Sequence, residues 1–157
     1  MSAENNIETS DKKASDSIDW QNLHKKAQQV SECAYAPYSN FKVGAALLSE
    51  QGQVFTGCNV ENASYGLTVC AERNCIATAV AQGTTQVSAL VVYTAQQQLT
   101  SPCGACRQVI AEFMAPEAIV SLVNHLGDSQ QWRVADLLPA AFTPQNLKNS
   151  ADNSSVT

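Results

Sequence analysis

Positive charge is scarce in this sequence: 9 Lys and Arg stand against 14 Asp and Glu, a formal net charge of −5. Only three arginines occur, Arg73, Arg107 and Arg133. The scarcity argues against a general binder of nucleic acid, because neutralising phosphates takes Lys and Arg. Aromatic residues are also few, at 6%, so the chain lacks the basic, ring-studded surface that tracks single strands. No stretch approaches the roughly 20 apolar residues of a membrane span. The opening residues, MSAENNIETS, have neither the basic start nor the apolar run of a signal peptide. The expectation is a cytoplasmic protein without a nucleic-acid or membrane partner. There are two histidines, His24 and His125, in separate segments with no metal-ligand spacing.

What is present is a core. Apolar residues make up 45% of 157, enough for one globular domain. Residues 1–17 are polar and cannot bury enough surface to offset their ordering entropy, so they read as a disordered tail. Residues 145–157 read as a flexible C-terminal tail on the same grounds. Residues 18–144 remain as a single domain.

A helix is expected from about Asp19, because Leu23, Ala27, Val30 and Ala34 recur at helical spacing. Pro37 follows it and breaks the pattern. FKVGAALLS and VFTGCNV, joined by SEQGQ, read as an antiparallel hairpin. Thr68 can cap a helix through CAERNCIATAVAQ, which Gly83 closes. VSALVVYTA is apolar almost throughout, as in a strand covered on both faces. Ser101 and Pro102 can open a helix through CGACRQVIAEFM. AIVSLVN and QWRVA follow as short strands, and DLLPAAF as a helical or irregular end. Strands and helices in this order predict an α/β fold: a three-layer α/β/α sandwich with a mixed sheet of about five strands.

Six cysteines occur: Cys33, Cys58, Cys70, Cys75, Cys103 and Cys106. Three disulfides would suit a short secreted chain, which this does not resemble; in a reducing compartment spaced cysteines bind metal or do chemistry. Cys70, Cys103 and Cys106 all fall near the start of an expected helix, where unpaired N–H groups and the helix dipole favour a thiolate. Three such thiolates converging on one point are best explained by a borderline divalent ion, foremost zinc. Three ligands rather than four leave a coordination position open, the mark of a catalytic site. Cys75 lies more than a turn deeper than Cys70 and reads as a core residue. Cys58 is the better candidate for a fourth ligand, which would make the site a closed structural one.

Glu72 stands two residues after Cys70. On an ideal helix, positions two apart diverge by about 200°. Both can face one ion only if Cys70 is where the chain enters the helix. A carboxylate there suits general acid/base work. An acidic first-turn residue that merely complements the helix dipole is the plainer alternative. Three thiolates on Zn²⁺ leave the centre at −1, so Arg73, and after it Arg107, are candidates to donate to the sulfurs; for Arg107 a solvated pair with Asp or Glu is an equal alternative.

These segments resemble the short-chain, all-cysteine type of cytidine deaminase. The resemblance rests on Cys-Ala-Glu at 70–72 and Pro-Cys-Gly-Ala-Cys at 102–106, the zinc-deaminase signature. It extends to YSNFKVGAAL at 38–47, GCNVENASYGLTVCAER at 57–73 and LLPAAF at 137–142. It implies a cytidine deaminase-like fold and a homotetramer with sites built from more than one subunit. It implies one zinc held by Cys70, Cys103 and Cys106, with Glu72 shuttling protons. The implied reaction is hydrolytic deamination of cytidine and deoxycytidine in pyrimidine salvage. Asn59 and Glu61 would hold the ribose, flanking Val60. Phe41 would lie near the pyrimidine and the backbone around Ala71 would meet its edge. Tyr65 and Phe142 would pack near the site, Phe142 from a neighbouring subunit. Two rivals are a deaminase of the same fold with another substrate and a non-catalytic zinc-stabilised module.

Overall fold

The computed structural model describes residues 18–151. The expected tail over 1–17 lies outside them, as does the far end of the C-terminal tail.

The chain runs α1 (Trp20–Ser31), β1 (Val43–Ser49), β2 (Val54–Cys58), a 3₁₀ turn (Tyr65–Leu67), α2 (Ala71–Ala81), β3 (Val87–Thr94), α3 (Gly104–Phe113), β4 (Met114–Asn124), β5 (Ser129–Arg133), α4 (Val134–Leu137) and α5 (Pro144–Ala151). The last helix occupies part of the stretch expected to be a flexible tail. Among the described residues, no helix is long and apolar enough to cross a membrane.

Five strands form one sheet in the order β2-β1-β3-β4-β5. β1 pairs antiparallel with β2 and β3, β4 pairs antiparallel with β5, and β3 and β4 run parallel. The mixed sheet is thus as expected, and the single parallel pair is the one that needs a crossover helix, α3. Alternation along β3 divides its side chains between two cores. Leu90 and Val92 join the larger core, with Cys75, Ile76, Cys106 and Ile110 from α2 and α3. Ala89, Val91 and Tyr93 face the smaller one, with Leu23 and Ala27 of α1. Helices on both faces complete the three layers.

α1 starts where Asp19 caps it, its Oδ1 accepting from the Asn22 N–H at 3.0 Å. Two glycines let helices lie directly on strands. A Cβ on Gly44 would fall 1.9 Å from the Ala27 carbonyl oxygen of α1, and one on Gly57 would fall 2.3 Å from the Cys75 nitrogen of α2. β4 begins at Met114, earlier than the expected AIVSLVN, because Met114 still finds a partner in Val87.

Candidate metal centre and adjoining cavity

Cys70 and Cys103 occupy equivalent places in different helices. Each immediately precedes its helix, with extended backbone (φ −70°, ψ 158° and φ −66°, ψ 166°). The expected caps, Thr68 and Ser101 with Pro102 in the first turn, are each two residues too early. The cause at α2 is local pairing: Val69 and Val60 exchange backbone hydrogen bonds of 3.0 and 2.9 Å, which keeps the chain extended up to Cys70. The first helical bonds then run from Asn74 N–H to the Cys70 carbonyl and from Arg107 N–H to the Cys103 carbonyl. Because Cys70 stands outside the helix proper, Glu72 is only the second helical residue, and the 200° divergence of an ideal helix does not apply.

The sulfurs of Cys70, Cys103 and Cys106 all lie within 4.8 Å of one another, and those of Cys70 and Cys103 are 3.9 Å apart. A tetrahedral ion with Zn–S bonds of about 2.3 Å would hold sulfurs roughly 3.8 Å apart. Three soft donors at that spacing fit zinc. Among the described residues no other His, Cys, Asp or Glu joins the group. Cys58 is not in it; its carbonyl instead accepts from Asn74 Nδ2 at 2.8 Å. Cys75 is a core residue as expected, donating to the Phe55 carbonyl, and burial pushes its thiol up to about 12. All six cysteines are free.

The Cys70 thiol is pushed down to about 5, chiefly by hydrogen bonding from Cys106, with help from Arg73. Cys106 moves the other way for the same reason and because it is buried. The two opposite directions are those of close thiols that share a proton between them. Arg73 Nη2 donates to Cys70 Sγ at 3.8 Å and to the Thr68 carbonyl at 3.3 Å. Its buried Nε has no hydrogen-bond partner among the described residues.

Arg107 is placed differently from its expected role. It donates through Nε to the Pro102 carbonyl (2.8 Å), through Nη1 to the Leu137 carbonyl (2.9 Å) and through Nη2 to Ser101 Oγ (2.9 Å). It therefore ties the Cys103 turn to the end of α4 rather than reaching a sulfur.

A cavity of about 370 Å³ opens beside the cluster, lined by Phe41, Asn59, Glu61, Cys70, Ala71, Glu72 and Cys103 among others. Glu72 is 4% exposed, and burial pushes its carboxyl above the ordinary carboxylate range, with the nearby Cys70 charge adding to the effect.

Asn59 is buried and held on both sides. Its Oδ1 accepts from Val43 N–H at 2.9 Å and its Nδ2 donates to the Phe41 carbonyl at 2.8 Å. One Nδ2 hydrogen is left over. Glu61 accepts from Tyr38 N–H, Ser39 N–H and Ser39 Oγ. The Ser39 hydroxyl in particular holds its carboxyl below the usual range.

Other expected residues stand apart from this cavity. Tyr65 lines a smaller adjoining one of about 220 Å³ with Tyr38, Ser39, Glu61 and Thr68, its ring edge-on to Tyr38 at 5.7 Å. Val60 and Phe142 are exposed and outside the larger cavity's wall. The Phe142 carbonyl accepts from Gln108 Nε2. Conversely, the wall includes Ser39, Val43, Thr68, Val92, Thr94, Thr100 and Ser101, none of which sequence reasoning assigned to substrate. Ser39 and Val43 sit inside the YSNFKVGAAL segment, so a signal existed for them; nothing in the residue pattern marks Thr94.

A family model described as the cytidine and deoxycytidylate deaminase zinc-binding region matches residues 18–122. The cytidine deaminase of Halalkalibacterium halodurans is 48% identical over 132 residues, covering 84% of this chain and 100% of its own. That of Mycobacterium tuberculosis is 43% identical over 130 residues, covering 83% and 94%. The crystal structure of cytidine deaminase from Burkholderia pseudomallei superposes with a TM-score of 0.77 at 48% identity, covering 80% of this chain and all of that one.

Proposed function

The chain belongs to the cytidine deaminase family, and from that premise we propose that it hydrolyses cytidine to uridine and ammonia with Glu72 as its proton carrier. A buried carboxylate beside three converging cysteine sulfurs, with no fourth protein ligand among the described residues, carries this conclusion. A non-catalytic zinc module would close its site with four ligands.

Cys70, Cys103 and Cys106 would hold one zinc ion per chain. When bound, zinc supplies a Lewis acid that brings the pKa of a coordinated water toward neutrality. Glu72 takes a proton from the attacking water and delivers it to ring N3. The water oxygen adds to C4. Glu72 then passes a proton to the amine, which leaves as ammonia. A carboxyl whose affinity for protons is raised by burial is matched to both halves of that task. Arg73, donating to Cys70 Sγ, draws charge from the thiolates and offsets the −1 of the centre. Phe41 flanks the base, and the Ala71 backbone meets its edge. Glu61, kept ionised by Ser39, and the free hydrogen of Asn59 face the sugar, whether ribose or deoxyribose. A carboxylate there repels a phosphate and favours a nucleoside over a nucleotide.

The assembly we propose is a homotetramer, and its setting cytoplasmic pyrimidine salvage. Exposed Tyr38 and Tyr65 line the cavity adjoining the site, and with exposed Tyr35, Val60 and Leu67 nearby in sequence they support covering by another copy, to which Phe142 and Tyr65 would contribute. The experiment is zinc per chain measured on purified protein, with turnover of a panel of cytosine and adenine nucleosides. Glu72→Gln is expected to keep zinc and fold and to lose about 10²- to 10⁴-fold in kcat. Wild-type turnover in that variant would refute the role of Glu72.

A further inference from the structure

Among the described residues, the buried serine and threonine hydroxyls have partners, with one exception. Ser31 Oγ donates to the Gln28 carbonyl, Ser49 Oγ accepts from Gln53 N–H, Thr84 Oγ1 donates to Gln53 Oε1 and Ser121 Oγ pairs with His24 Nε2. Thr94, 1% exposed, has no hydrogen-bond partner for its Oγ1 among the described residues. Folding removed that hydroxyl from water without compensating it, which costs about 1–3 kcal/mol, and such groups in a folded protein are few enough to need an explanation.

Its position supplies one. Thr94 is the last residue of β3, and its Cα is paired with Val43 on one side and Asn124 on the other. Asn124 is saturated: Oδ1 accepts from two backbone N–H groups and Nδ2 donates to Gln97 and Asp128. Val43 N–H is taken by Asn59. Neither neighbour leaves Thr94 a partner. By strand alternation Thr94 shares the face of Val92, the face covered by α2 and α3. Both residues line the cavity that also holds Glu72 and Cys103. Thr94 therefore belongs to the wall of that cavity, on the side from which the cysteines and Glu72 approach, with its unpaired oxygen buried just behind the surface.

We propose that Thr94 is a specificity-determining contact whose hydroxyl hydrogen-bonds the polar edge of the pyrimidine ring. A hydroxyl suits that edge because it can donate to a ring carbonyl or accept from an amine. The base rather than the sugar is the partner, because the sugar-facing groups are held elsewhere: Asn59 on the opposite, β2 side of Val43, and Glu61 against Tyr38 and Ser39. This inference rests on the cytidine deaminase reading.

Wild-type turnover of cytidine and deoxycytidine tests that reading separately. T94V then removes the hydroxyl while keeping the branched shape. The expected result is a fall in kcat/KM of about three- to tenfold, the worth of one hydrogen bond, equal for the two nucleosides. The melting temperature should hold or rise, since an uncompensated buried hydroxyl has been removed. T94S should restore most of the loss. Unchanged kcat/KM in T94V, a loss for only one nucleoside, a loss that T94S does not rescue, or a kinetic loss accompanied by a lower melting temperature would each overturn the assignment.

Discussion

Replacing Arg107 with alanine removes three hydrogen bonds at once, and the structure gives each a weight. Two go to main-chain carbonyls of the buried residues Pro102 and Leu137, at 2.8 and 2.9 Å. A hydrogen bond from a charged donor contributes about 1.5–3 kcal/mol. The third, to exposed Ser101, contributes little because water replaces it. Arg107 is itself only half-buried, so water can reach part of the gap, and the sum for the variant is about 2–4 kcal/mol. The loss falls on the residue next to Cys103 in the chain, so the grip on zinc should loosen as well. Removing a group that orients a metal ligand costs about 10- to 100-fold in affinity. The assay pairs urea unfolding of the zinc-loaded protein at fixed protomer concentration with zinc release to a competing chelator. Arg107→Lys should recover no more than a part of either loss, since an ammonium cannot span three acceptors held in a fork. A stability change below about 0.5 kcal/mol, in the range of an ordinary surface substitution, together with an unchanged zinc-release rate, would refute the reasoning.

Two further outcomes follow from the fold. Gly57→Ala places a methyl 2.3 Å from the Cys75 nitrogen and 2.9 Å from the Ala71 carbonyl oxygen, so α2 must shift off β2. A cost of about 1–3 kcal/mol and weakened zinc binding are expected, read by thermal unfolding and chelator competition; wild-type values in both would show that the strand absorbs the methyl elsewhere. Burial lowers the pKa of His24 from 6.5, so the unfolded chain takes up that proton first. Stability should decline as pH falls below 6.5 and level off once folded His24 also protonates. A His24→Asn variant should lose this part of the slope in unfolding measured between pH 7.5 and 5.5, and an unaltered slope would contradict it.

Residue pattern alone carried the architecture a long way. The apolar periods of the hairpin and β3 were legible because each element buries one face or two in a way that spacing records; in α1 only Leu23 and Ala27 of the expected stripe are buried, and the helix ends at Ser31, before Ala34 and well short of Pro37. The convergence of the three cysteines was legible because cysteines at helix starts have few other uses in a reducing compartment. What was not legible depended on partners distant in sequence. Capping preference points to Thr68 and Ser101, yet the Val60–Val69 pairing decides where α2 begins. Arg107 follows a ligand cysteine in sequence, but its length carries it to Leu137, 30 residues on. Thr94 is an unremarkable strand residue until the hydrogen bonds of its neighbours leave it out.

The cysteines that precede α2 and α3 make no side-chain hydrogen bond to the first turn. A serine or aspartate in the same place would seal those amides and add about 1 kcal/mol to each helix. Selection has thus left two helix mouths weaker than they could be, and the protein tolerates the deficit because the ends are secured by whatever the sulfurs hold in common. Stripping the metal should therefore fray both helices together, so that folding and catalysis would fail at the same two points.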